Sequence, residues 1–123
     1  MNLKPVLIVS AVALCGAAPA FGHHSHAMYD NAQELTIRGT VKEFQWVNPH
    51  SWLYVTVTSE ANGTQDWALE ARAPARLAQQ GWSPDSVRPG EAVSVVLQPL
   101  KFGGYGGLLR SVTLPDGREL VDE

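Results

Sequence analysis

Short segments that alternate apolar and polar residues, each closed by a turn signal, run through most of this chain and restrict it to a β architecture. WLYVTVTS (residues 52–59) puts Leu53, Val55 and Val57 on one face and Trp52, Tyr54 and Thr56 on the other, the period of a strand with one buried side. ELTIRGTVKEFQW (34–46) starts the same way with Leu35, Ile37, Gly39 and Val41. Phe44 and Trp46 then fall on the opposite parity, which predicts a β-bulge near Lys42 and Glu43. DWALEAR, AVSVVLQPL and LLRSVTL supply three more strands. Asn62-Gly63 predicts a hairpin turn in which both residues accept positive φ, and Pro115-Asp116-Gly117 a turn before a short tail. Between the third and fourth strands, APARLAQQG combines helix formers with an early proline and a terminal Gly81, predicting a short helix over 74–80.

Three strands, one helix and two strands, in that order, predict an all-β domain: a small five-stranded antiparallel barrel of the OB type, with a small β-sandwich as the alternative. Ligands of OB barrels usually meet the outer face of strands two and three and the loops joining strands one to two and four to five.

The opening MNLKPVLIVSAVALCGAAPAFG has an early lysine, an apolar run from Val6 to Leu14 and then small residues, the layout of a secretory signal peptide. The run is too short to span a bilayer, which needs roughly 20 apolar residues, so no stable membrane insertion is expected once the leader is cut. Cleavage after Gly22 or after Ala20 fits; the first leaves His23 as the mature N-terminus and 101 residues, one domain's worth. The expected organisation is a leader (1–22), a His-rich arm (23–33) and a single barrel domain (34–123), located in the periplasm or secreted. The one cysteine, Cys15, lies in the leader, which leaves neither a disulfide framework nor a thiolate metal site. The whole chain carries a net charge of −3, and losing Lys4 leaves eight basic against twelve acidic residues. With no basic run, a nucleic-acid partner is not expected.

A leader followed by HHS, an aspartate at Asp30, then GTVKEFQWVNPHS, WALEA, GW, PGE and LPDGREL together resemble a bacterial secreted family, domain of unknown function 6152. The likeness covers nearly the whole mature chain, and NPHS is its most specific part. It implies an exported envelope protein and no activity. His26 stands where the family pattern has an aromatic residue, so the resemblance assigns it no role.

GHHSHAMYD (22–30) holds three of the four histidines. In an extended segment His24, His26 and Met28 would project on one side, two imidazoles and a thioether, which are copper-type ligands. Cleavage after Gly22 would add the α-amine of His23, and His50, between the first two strands, would add an imidazole if the arm folds over that end of the barrel. The alternative is a solvated arm that takes up metal adventitiously, with His50 merely fixing the turn after Pro49. A second candidate set is aromatic: Trp46, Trp52 and Tyr54 with Phe102 and Tyr105 of the glycine-rich loop, either a ligand platform or a second small core under the arm and helix. GGYGG joins two strands and opens no helix, so it is not a phosphate-binding loop. Glu70 is expected to pair with Arg72 or another surface charge, and no spacing marks a catalytic nucleophile.

These residues support a non-enzymatic exported barrel that binds or buffers copper through His23, His24 and His26, with His50 and Met28 as further ligands. The alternative is an envelope module that binds a small ligand or a protein partner through the aromatic face and glycine-rich loop. A third reading, a copper-dependent oxidase, is weighed down by small size and the absence of any sign of a substrate cleft.

Overall fold

The structure, a computed structural model, describes residues 25–123; the expected leader with Cys15, and His23 and His24, lie outside the described residues. A 3-10 turn at Ser25–Met28 leads into strands β1 (Leu35–Gln45), β2 (Trp52–Ser59) and β3 (Gly63–Glu70). A short helix α1 (Pro74–Gln79), strands β4 (Ala92–Pro99) and β5 (Gly106–Thr113), and a final strand β6 (Glu119–Val121) follow. Every expected element is present within a few residues of its expected bounds. The short tail after the Pro115–Gly117 turn, for which no strand was expected, forms β6 against β5.

The sheet runs β3-β2-β1-β4-β5-β6, and β3 also pairs with β5, so strands β1 to β5 close into a barrel and exclude the sandwich. β3 and β5 run parallel, Ala68 to Glu70 beside Gly106 to Leu108; the other pairings are antiparallel. The expected antiparallel barrel is therefore a mixed one. The reason is geometric: an odd number of strands in a closed ring cannot alternate direction all the way round, so one neighbouring pair must run the same way.

Two bulges shape the wall. In β1, Val41 faces Val55 and Glu43 faces Tyr54, which leaves Lys42 as the extra residue, as the parity change predicts. Phe44 and Trp46 then turn toward the core, their rings 6.0 Å apart and the Phe44 ring 5.8 Å from Trp82. In β5, Leu109 faces Leu97 and Ser111 faces Val96, so Arg110 is the extra residue there. A bulge bends its strand and re-aims the side chain it carries.

Leu53, Val55, Leu69, Leu77, Val95, Leu97, Leu109 and Val112 are fully enclosed, and Leu77 brings α1 into the same core. Leu35, on the predicted buried face of β1, is instead 40% exposed at the strand's start, while Ile37 and Val41 are buried. At the β2–β3 turn Gly63 alone takes positive φ, at 67°, and Asn62 does not. Ser59 pairs with Gly63, so the loop has three residues, a length that needs only one left-handed position. Trp82 donates its indole N–H to the Val121 carbonyl at 2.9 Å, tying β6 to the segment after α1.

Candidate functional site: a histidine and arginine cleft across the barrel seam

The segment between β1 and β2 is fastened to the chain leaving β3. Ser51 N–H donates to the Arg72 carbonyl at 3.2 Å, and Ala71 N–H donates to the Ser51 carbonyl at 2.8 Å. These bonds extend the β2–β3 ladder past its ends and bring His50 beside Glu70. Glu70 is 3% exposed, and a carboxylate so far from water requires donors. It has two: His50 Nδ1–H at 2.6 Å and the Tyr29 hydroxyl. The expected pairing of Glu70 with Arg72 or a surface charge is thus incorrect, since β3 carries Glu70 into the interior.

Tyr29 is itself buried. It bridges to Leu100, with Asp30 N–H donating to the Pro99 carbonyl at 2.8 Å and Lys101 N–H to the Met28 carbonyl at 2.9 Å. Burial, and then the bond to Glu70, raise the Tyr29 hydroxyl well above the usual tyrosine range, so it stays a donor. The N-terminal segment is thereby stitched to the end of β4.

Beside this network lies a cleft of about 530 Å³. His26 and His50 both line it, so the arm does reach the β1–β2 end of the barrel. Met28 does not line it, and residues 25–28 form a 3-10 turn, so the extended alternation that set His26 beside Met28 does not occur. Successive residues of a 3-10 turn are about 120° apart, and positions two apart diverge. With Nδ1 given to Glu70, His50 keeps Nε2 as its remaining ring nitrogen. Among the described residues no group of three or more His, Cys, Asp and Glu is placed to hold a metal ion.

The cleft's charged residues are Arg72, Arg76, Arg110 and Asp122. Asp122 is 1% exposed; it accepts the Arg72 backbone N–H at 3.0 Å and lies 3.5 Å from Arg72 Nε. Burial raises its carboxyl above the usual range, offset in part by the Arg72 backbone bond and by the charges of Arg72, Arg110 and His26. The folded state thus keeps the proton to higher pH than the unfolded chain. Its contribution to stability is largest below the ordinary carboxylate range and declines as pH rises through it. Urea unfolding across that interval is expected to show a smaller decline for Asp122→Asn, which keeps an acceptor for the Arg72 N–H; an unchanged slope would locate the titration elsewhere.

The aromatic candidates do not converge on this cleft, and none of the five lines it. Trp46 packs against the core, and Trp52 and Tyr54 are half-buried on the barrel wall. Phe102 is 96% exposed and Tyr105 45%, the latter edge-on to Trp67 at 5.5 Å between ring centres. The cleft also corrects the expectation that no substrate-sized recess exists. The signals for Glu70 beside the cleft and Arg110 within it were faint: a carboxylate between Leu69 and Ala71, and an arginine after the apolar pair Leu108–Leu109.

Residues 11–110 match a protein family described as a family of unknown function, DUF6152. No curated protein matches the chain.

Proposed function

Since the chain belongs to the DUF6152 family, whose description carries no chemistry, we propose from the cleft itself that this is an exported, non-enzymatic domain that carries or buffers copper. The observation supporting this most directly is His50, whose Nδ1–H is committed to buried Glu70 while its ring borders the cleft that His26 also lines. A carboxylate on one ring nitrogen fixes the tautomer and orientation of a histidine whose other nitrogen binds a metal. His26 would supply a second imidazole, and His23 and His24, separated from it in sequence by Ser25, the remaining nitrogens, the α-amine of His23 among them. Four nitrogen donors in a tetragonal set suit Cu(II).

Titration of the mature protein with Cu(II), followed by electron paramagnetic resonance, is expected to show one nitrogen-coordinated ion per chain. His50→Ala should weaken it, and replacing His23, His24 and His26 together by alanine should abolish it. Undiminished binding by the triple variant would remove the arm from the site. The aromatic alternative retains one supporting observation, the exposure of Phe102 and Tyr105. Deleting residues 23–28 separates the two, because a copper carrier loses its metal and an aromatic-face module keeps its ligand.

A further inference from the structure

The charge of the cleft does not follow from the copper reading. Three of the chain's nine Lys and Arg residues line one recess, in a protein whose net charge is −3. Arg72 is matched by Asp122. Arg76 and Arg110 have no carboxylate within ion-pair distance among the described residues, and the Arg76 guanidinium meets only Gln79 Oε1, at 3.4 Å. Arg110 is the extra residue of the β5 bulge, the kind of local irregularity that directs a side chain into a site.

From this we infer that the cleft is a binding site for a small organic carboxylate, held by Arg76 and Arg110. Guanidinium groups recognise planar carboxylates through paired N–H donors, and three of them lining one recess with the single carboxyl of Asp122 leave a positive potential that an anion neutralises. The rest of the lining argues for an organic body rather than a bare oxyanion. Pro49 and Ala73 offer apolar surface and Gln98 a neutral amide, whereas a hydrated inorganic ion would leave that apolar surface facing water. A recess of about 530 Å³ falls in the range of small-molecule sites and is too small for a polymer.

The test uses the full mature protein stripped of metal by a chelator, so it is independent of the copper titration, and either reading can fail alone. Benzoate, succinate, inorganic phosphate and neutral benzamide are titrated separately while the backbone and guanidinium N–H signals of Arg72, Arg76 and Arg110 are followed by NMR. Saturable shifts with benzoate or succinate, and none with benzamide, are expected. The double variant Arg76→Gln, Arg110→Gln should bind the carboxylate about tenfold more weakly or worse, with an unchanged thermal midpoint because neither side chain is part of the core. Arg76→Gln alone, at an exposed helix position, serves as the second variant and should show a smaller loss. No saturable shift with either carboxylate, equal shifts with benzamide, or binding of phosphate alone would each overturn the inference.

Discussion

Replacing Gly39 by alanine is expected to cost about 3 kcal/mol of folding stability, the upper end of what one added methyl costs in a tightly packed interior. β1 pairs with β4 through Gly39 and Val93, while β2 crosses close over the same residue. A Cβ there would collide with the Thr56 carbonyl oxygen and stand 2.9 Å from Val55 Cγ1. Neither neighbour can retreat cheaply, because Thr56 is held in the β1–β2 and β2–β3 ladders and Val55 is fully buried. The alternation of β1 marks position 39 as inward-facing, so a reader of the pattern alone would expect a larger apolar residue to be tolerated. Urea denaturation followed by circular dichroism measures the effect; a loss below about 1 kcal/mol, the lower end for an overpacked core, would mean the strands separate more readily than their pairing implies.

The second large effect is expected at Glu70. Glu70→Gln retains the shape but cannot accept from both His50 Nδ1–H and the Tyr29 hydroxyl with ionic strength, and the loss of two charge-assisted bonds in a buried position is expected to cost about 2 kcal/mol. If His50 binds copper as proposed, the affinity should fall roughly 10- to 100-fold, the usual consequence of removing the partner that orients a metal-binding histidine. Tyr29→Phe separates the two effects. It removes one donor to Glu70 and leaves the His50 contact, so it should cost about 1 kcal/mol and leave copper affinity unchanged. Equilibrium unfolding gives the first quantity and competition with a chromogenic chelator the second. If Glu70→Gln holds copper as the native protein does, the carboxylate has no orienting role and serves the fold alone.

Local pattern made some of this structure readable and hid the rest for identifiable reasons. The parity of Leu53, Val55 and Val57 locates β2 to the residue, and the switch at Phe44 locates the β1 bulge, because both follow from which neighbours share a face. α1 is legible because its proline and glycine act on their own backbone. The pairing of β3 with β5 joins Ala68 to Gly106, and periodicity carries no information about partners that far apart. The β5 bulge is hidden for a different reason: Leu108, Leu109 and Val112 are all buried, so no alternation exists for Arg110 to interrupt. Glu70 looked like a surface charge because its two partners, Tyr29 and His50, lie 41 and 20 residues before it in the chain, too far for local spacing to reveal. His26 and His50 were legible as residue types, and only the stitching of residues 28–30 to the end of β4 brings them to one recess.

The cleft lies across the parallel seam. His50, Arg72 and Arg76 stand with the β3 side of it, and Leu108, Leu109 and Arg110 belong to β5. That seam joins segments remote in sequence, and non-local pairings of this kind are slow to form because the intervening loop must be closed before any contact offsets its entropy. An occupant touching both banks would act as a clasp, slowing the barrel's opening more than it speeds its closing. Cargo retention and resistance to proteolysis would then rise together, and a protease challenge with and without the bound guest would report occupancy without any need to know what the guest is.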